Sequence, residues 1–185
     1  MTRSKIHRAL RTIGIAHSKA WEIALEGTVE KTRRQRDFSL PYGFVQSPAL
    51  ASLALDRSAL GRAMRALARS NHTRLSCYVD DVILSGIDEE AVESGRLTLI
   101  EAARRSDFVI NDIKSQRPGP EIRAFNIELS NGHMAITEKR LHEFEEDLVH
   151  AIPASASAII SYVHSVNPAQ ADRLAKVRES VHEII

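Results

Sequence analysis

Several residue types are scarce in this 185-residue sequence, and each scarcity excludes a class of protein. The single cysteine, Cys77, excludes an internal disulfide framework, and the eight histidines show no zinc-ligand spacing with it. Cys77 lies in an apolar run, where we expect a small buried core residue. The formal net charge is only +1, so charge alone does not indicate a nucleic-acid partner. No apolar run approaches the roughly 20 residues of a membrane span, and no signal-peptide pattern follows Met1. We therefore expect a cytoplasmic protein with no membrane partner.

The stretch from Ser76 to Ser85 has the strongest chemical signal in the chain. Residues typical of strands precede and follow two adjacent acids, Asp80 and Asp81. Aspartate is poor inside a strand and common in a turn, so we predict a tight hairpin with both carboxylates at its tip. Neighbouring carboxylates repel each other unless a cation is present, and Mg²⁺ prefers oxygen ligands. The pattern is typical of two-metal phosphoryl or nucleotidyl transfer, and the alternative is a pair of solvated turn aspartates.

A second informative stretch covers residues 40–48 and leads into a helix. Gly43, which follows a proline by two residues, predicts a turn where backbone can approach a ligand closely. Ser47 followed by Pro48 predicts a helix N-terminus, with the helix running to about Arg69. Free N–H groups at such a terminus can bind an anion. The alternative is an ordinary capped amphipathic helix.

Periodicity and capping residues predict the other elements. Helices are expected over residues 4–13, 18–26, 88–106 and 138–152. A final helix pair is expected after residue 158, divided at Asn167-Pro168. Strands are expected at 108–110, 122–129 and 133–137, with Asn131-Gly132 as the hairpin turn between the last two.

Two of these motifs resemble those of reverse transcriptases. That family carries Leu-Pro-Gln-Gly, then Ser-Pro opening a long helix, and later Tyr-x-Asp-Asp. This chain has, in the same order, Leu40-Pro41-Tyr42-Gly43, Ser47-Pro48 and Tyr78-Val79-Asp80-Asp81. It departs from the family at Tyr42, where Gln is usual, and at Ser52, where many bacterial members have Asn.

The resemblance implies an RNA-directed DNA polymerase of the bacterial retron, group II intron or phage-defence type. It implies an α+β fold, in which residues 1–137 form a partial polymerase palm with an antiparallel sheet and helices on one face. Residues 138–185 would form an α-helical thumb. The implied cofactor is Mg²⁺, with Mn²⁺ as a substitute, and the implied partners are an RNA template, a DNA or RNA primer, and dNTPs.

The resemblance also implies roles for particular residues. Asp80 and Asp81 would be catalytic metal ligands. Lys114 would face the incoming phosphates or protonate the leaving pyrophosphate, and the alternative is a solvated loop lysine. Tyr78 would support the primer end or the template. Near a polymerase active site the basic run at residues 31–36 would contact phosphates, and the alternative is a solvated loop. The loop before the long helix would supply the nucleotide-binding and nucleic-acid-binding residues Gly43, Phe44, Gln46 and Ser47.

The sequence has no counterpart of one carboxylate that the resemblance requires. Family members take a further metal-binding Asp from a strand before the Leu-Pro-x-Gly turn, and here no Asp occurs before Asp37. We therefore expect either a truncated form of a longer enzyme or a second polypeptide that supplies the missing palm strand. A non-catalytic nucleic-acid-binding palm module and template-independent nucleotide polymerisation in phage defence are the alternative functions.

Overall fold

In a computed structural model of the chain, residues 1–32, 37–78 and 81–182 are described. The chain divides into two compact units, Met1–Arg117 and Pro118–Ile185. Helices occur together with small antiparallel sheets, which agrees with the predicted α+β class. None of the helices in the described ranges is long and apolar enough to cross a membrane.

The first unit consists of helices and two antiparallel hairpins. Its elements are α1 (Arg3–Thr12), α2 (His17–Glu26), β1 (Val29–Thr32), β2 (Asp37–Ser39), α3 (Ser47–Asp56), α4 (Ala59–Ala68), β3 (Thr73–Tyr78), β4 (Asp81–Gly86) and α5 (Glu89–Arg105). The predicted helices at 4–13, 18–26 and 88–106 are confirmed to within a residue or two. The pairing of β1 with β2 was not predicted.

Helices α1, α2 and α3 pack around one apolar cluster. Ile6 and Ala20 are fully buried in it, and Leu50 enters it from α3. Leu50 reaches α2 at Gly27, where an added Cβ would lie 2.8 Å from the Leu50 Cδ1 atom. The absence of a side chain at Gly27 therefore lets α3 lie close against the end of α2.

The single long helix predicted from Ser47 to Arg69 is wrong, because the chain breaks between α3 and α4. The hydroxyl of Ser58 accepts a hydrogen bond from the Gly61 N–H (3.0 Å) and so caps a new helix. A Cβ on Gly61 would lie 2.7 Å from the Asp56 carbonyl oxygen. The glycine therefore allows the first turn of α4 to fold back against the last turn of α3.

Two residues determine how helix α5 begins and packs: an aspartate caps its N-terminus, and a glycine lies at its contact with β4. The Asp88 carboxylate accepts a hydrogen bond from the Ala91 N–H (2.6 Å), as the predicted N-cap should. A Cβ on Gly95 would lie 2.7 Å from Leu84 Cδ2, so this glycine lets α5 approach β4 closely. The strand predicted at 108–110 is wrong: this segment is an irregular loop, with Val109 96% exposed.

The second unit consists of a three-stranded antiparallel sheet and three helices. Its elements are β5 (Glu121–Ala124), β6 (Ile127–Ser130), β7 (His133–Ile136), α6 (Glu138–His150), α7 (Pro153–Val166) and α8 (Pro168–His182). The strand predicted at 122–129 is wrong, because Phe125 and Asn126 adopt positive φ angles (55° and 61°) and turn the chain. The Asn131-Gly132 hairpin is confirmed, with Ser130 pairing to His133.

Large apolar side chains fill the core of the second unit. Its buried residues are Ile136, Leu141, Phe144, Leu148, Ala156, Val163, Ala171 and Leu174. The amide of Gln170 also binds the sheet: its oxygen accepts from the Ile136 N–H (2.8 Å) and its nitrogen donates to the Ile136 carbonyl (2.9 Å). Helix α8 is thereby fixed to the open edge of β7. The assignment of palm to 1–137 and thumb to 138–185 stays a prediction.

Candidate active site

The hairpin formed by β3 and β4 places Tyr78 opposite Asp81. The ladder runs in register from Thr73 paired with Gly86 to Tyr78 paired with Asp81. Only Val79 and Asp80 separate Tyr78 from Asp81 in the sequence, and both lie outside the described residues. The predicted hairpin is confirmed up to this last pair, with Tyr78 68% exposed and Asp81 exposed.

Burial decreases along β3 towards Tyr78. Thr73, at the far end, is 3% exposed because α4 and α5 pack against that part of the sheet. Cys77 is exposed, so the prediction of a buried core cysteine is wrong. The reason is that β3 and β4 form a sheet of only two strands, whose end extends beyond the helices that cover its base. The end that carries the candidate catalytic residues is therefore open to a ligand.

The loop before α3 is braced by Ser47. Its hydroxyl donates to the Pro41 carbonyl (2.8 Å), and its N–H donates to the Phe44 carbonyl (3.0 Å). Gln46, rather than Ser47, occupies the N-cap position, so the predicted cap is displaced by one residue. Gly43 has a φ of +83°, a conformation that favours glycine. The predicted binding residues Gly43, Phe44 and Gln46 are exposed on this closed loop.

Lys114 lies at the end of a small turn after α5. The side-chain oxygen of Asn111 accepts hydrogen bonds from the N–H groups of Ile113 (3.1 Å) and Lys114 (3.3 Å). This Asx-type turn holds the backbone of Lys114, while its side chain is exposed. Its assignment to phosphates stays a prediction. Arg33 to Arg36 of the predicted basic run lie outside the described residues.

All the predicted site residues belong to the first unit, and Asp81 is the described one with the clearest metal-ligand chemistry. Its carboxylate forms no ion pair within the described part of the chain. Mg²⁺ is commonly bound through one or two carboxylates, substrate phosphates and water, so Asp81 fits as one ligand. Among residues 1–32, 37–78 and 81–182, however, no group of three or more His, Cys, Asp or Glu residues could hold a metal ion. A complete site therefore needs ligands beyond those that the described residues supply.

Comparison with known proteins supports the resemblance seen in the motifs. No family model matches the chain. The chain is 32% identical over 146 residues to the retron Mx65 reverse transcriptase of Myxococcus xanthus, which covers 74% of this chain and 34% of that protein. The chain thus spans about a third of the length of the curated relative that it matches. This similarity supports a relationship between the chain and the reverse transcriptases.

Proposed function

We propose that this chain provides the later palm and the thumb of a retron-type reverse transcriptase, which extends a primer with dNTPs on an RNA template. The observation that carries the proposal is the exposed Asp81 carboxylate, held opposite Tyr78 where the β3–β4 ladder ends. The similarity to a retron reverse transcriptase supports the proposed substrate class. An acid that forms no ion pair with another described residue, at the exposed end of a hairpin, is well placed to bind a cation and phosphates.

In this proposal the primer 3′-hydroxyl attacks the α-phosphate of a dNTP, and pyrophosphate leaves. Asp80 and Asp81 would hold Mg²⁺ or Mn²⁺, which supplies positive charge where negative charge develops on the phosphates. Tyr78 supports the primer end from the neighbouring strand, and Lys114 faces the phosphates. The loop with Gly43, Phe44, Gln46 and Ser47 shapes the nucleotide pocket.

A further carboxylate ligand comes, in this proposal, from outside these 185 residues. The resemblance to reverse transcriptases requires a metal-binding Asp from a strand before the Leu-Pro-x-Gly turn, and no Asp occurs before Asp37 in the sequence. A longer form of the chain or a second polypeptide would supply the palm strand that carries it. The same observation favours one alternative, a nucleic-acid-binding module that has the hairpin and lacks the chemistry.

Primer extension on an RNA template with Mg²⁺ tests the proposal. The proteins compared are the 185-residue chain, a form extended upstream, the extended form with Asp81→Asn, and the extended form with Asp172→Asn. Asp172 is an exposed acid on α8 in the second unit, so its substitution removes the same charge away from the hairpin. We expect the extended form to copy RNA and Asp81→Asn to lower the rate by at least about 100-fold, as the loss of a charge-stabilising group does. Asp172→Asn should have no effect on the rate.

Mn²⁺ binding separates the polymerase from the binding module. A polymerase hairpin should bind Mn²⁺, detected by paramagnetic resonance, and lose this binding in Asp81→Asn. An extended protein that binds nucleic acid but neither binds Mn²⁺ nor extends a primer contradicts the proposal and supports the module.

A further inference from the structure

A segment without acidic residues runs from Arg57 to Val79. It follows directly on Asp56 and contains five arginines: Arg57, Arg62, Arg65, Arg69 and Arg74. The whole chain has a formal net charge of only +1, so this segment is a strong local excess of positive charge. None of the motifs in the sequence assigns a role to these arginines.

Three of these arginines share one face of α4. Arg62, Arg65 and Arg69 are spaced at i, i+3 and i+7, which places them on one side of a helix. All three are exposed, whereas Gly61 and Met64 of the same helix are buried. At about 1.5 Å per residue, the row spans roughly 10 Å along the helix axis.

Arg74 extends this row beyond the end of α4. It lies in β3, and its Nη1 donates to the carbonyl oxygens of Ser70 (3.2 Å) and Thr73 (3.1 Å). Ser70 directly follows Arg69, the C-cap residue of α4. These two hydrogen bonds hold the guanidinium of Arg74 beside the end of the helix that carries the other three arginines.

Three arginines on other helices each form an ion pair with a glutamate one turn away. These pairs are Arg96–Glu93 (2.6 Å), Arg104–Glu101 (2.9 Å) and Arg140–Glu143 (2.6 Å). The hydrogen bond from Arg96 lowers the pKa of the Glu93 carboxyl below its ordinary value, which keeps that pair charged on both sides.

The arginines of α4 have far less compensation. Arg65 and Arg57 share a single carboxylate, that of Asp56. Neither Arg62 nor Arg69 forms an ion pair with any described residue. The positive charge of this face is therefore available to an external anion.

We propose that the arginine face, defined as Arg62, Arg65, Arg69 and Arg74, binds the phosphate backbone of a nucleic acid. Arginine suits phosphate because its planar guanidinium can donate two parallel hydrogen bonds. Duplex DNA has about one negative charge per 1.7 Å of axis, so a row of roughly 10 Å faces several phosphates. Contacts of this kind do not depend on base sequence.

This contact surface is separate from the candidate active site. Arg74 is four residues before Tyr78 in the same strand, which corresponds to about 13 Å along the hairpin. The surface does not depend on the proposed polymerase activity: a protein without that activity would still bind a phosphate backbone through it.

The chemistry of the face favours nucleic acid over a protein or a membrane surface. Every residue of α4 is described, and none of its large apolar side chains is among the exposed ones. A protein partner usually provides its binding energy through buried aromatic or aliphatic anchors, and a membrane-surface helix needs an exposed apolar face. Charge without apolar surface is what a phosphate backbone requires.

Salt-dependent binding of a labelled RNA duplex tests the proposal. Fluorescence anisotropy is measured without Mg²⁺ or dNTPs, between about 50 and 200 mM salt. The Arg62→Gln/Arg69→Gln double variant should bind at least about tenfold more weakly, and the slope of log K against log salt should fall by about 1.8, or 0.9 per contact. Arg104→Gln/Arg105→Gln removes the same charge from α5 and should leave both quantities unchanged. Circular dichroism verifies that both variants are folded.

Further variants make the outcomes distinguishable. Arg62→Lys/Arg69→Lys keeps the charges and should keep the salt slope. A protein that binds the duplex through these arginines but does not extend a primer removes the proposed function and leaves this surface in place. The proposal is overturned if Arg62→Gln/Arg69→Gln binds with unchanged affinity and slope. It is also overturned if polyglutamate or anionic vesicles compete for the face as well as RNA does.

Discussion

The two units of this chain fill their cores with side chains of different size. The buried apolar residues of the first unit are mostly alanines: Ala9, Ala20, Ala24, Ala54, Ala102 and Ala103, with Ile6, Leu10, Leu50 and Met64. Those of the second unit are mostly large, and its two buried alanines are Ala156 and Ala171. Apolar burial contributes about 25 cal/mol per Å² of surface removed from water. A buried residue of the second unit therefore contributes, on average, more to stability than a buried residue of the first unit.

The same contrast appears at the surface. Among the residues whose burial the structure describes, the almost fully exposed apolar ones lie in the first unit: Tyr42 (105%), Val45 (95%), Val109 (96%) and Ile113 (99%). They occur on the two loops that carry the predicted nucleotide-contacting residues. Segments with few buried contacts open most easily, and binding loops are commonly of this kind. The second unit thus buries larger side chains, whereas two loops of the first unit expose apolar side chains that a ligand could contact.

Truncation of a large core residue should show the contrast most strongly. Leu148 is fully buried in the second unit, and Leu148→Ala should cost about 2–5 kcal/mol through lost burial and a residual cavity. Hydrogen exchange measured peptide by peptide should show faster exchange in α6 and α7. Leu148→Met, which keeps the volume, should cost less than about 1.5 kcal/mol. A cost of Leu148→Ala below about 1 kcal/mol would remove the distinction between the cores.

A pair of glycine substitutions sharpens the comparison within the first unit. Gly61 and Gly95 both lie in helices, where alanine is normally better by about 1 kcal/mol. A Cβ at Gly61 meets the backbone of Asp56 at 2.7 Å, whereas a Cβ at Gly95 meets only the movable end of Leu84 at 2.7 Å. We therefore expect Gly61→Ala to destabilise by about 1–3 kcal/mol and Gly95→Ala by clearly less.

Urea unfolding followed by the fluorescence of Trp21, the single tryptophan, reports on the first unit. The second unit has no matching close contact, because a Cβ at Gly132 has no neighbour within 4 Å. If Gly61→Ala and Gly95→Ala destabilise the protein equally, then the small residues of the first unit do not serve to let the backbone approach closely.

Sequence reasoning succeeded where a few adjacent residues decide the structure. Asp88 caps a helix through its own side chain, and Asn131-Gly132 supplies the positive φ that a tight hairpin needs. The same holds for the β3–β4 hairpin, whose last described pair, Tyr78 and Asp81, lies where the motif predicted. These features depend on local chemistry, so the sequence contains them.

The failures occurred where distant packing decides. At the break before Ser58, Gly61 lies against the end of α3, and the helical periodicity of the apolar residues continues through the break. Cys77 has the residue type of a core position, yet no third strand of the described residues covers the hairpin end, so it is exposed. The turn at Phe125 and Asn126 places two non-glycine residues at positive φ, which propensity does not favour.

The candidate site was predictable only as far as its motifs reach. Asp81 was identified because Tyr-x-Asp-Asp is a compact signature; the residue is exposed, and its role stays a prediction. The arginine face was missed because its members are spread over 13 residues of helix, loop and strand. The sequence nevertheless indicates this face, because no acidic residue occurs between Asp56 and Asp80.

The smallest expected effects come from the helix caps of the two units. The Asp88 carboxylate accepts from Ala91 N–H at 2.6 Å, whereas the Thr137 hydroxyl accepts from Arg140 N–H at 3.4 Å. Because the second bond is long, Asp88→Ala should cost about 1 kcal/mol and Thr137→Ala about half of that. Urea midpoints and exchange of the first-turn amides measure both, with Asp88→Ser and Thr137→Ser as controls that keep a capping oxygen. A larger cost at Thr137 would mean that the second unit depends on its caps as well as on its core, which would weaken the contrast between the units.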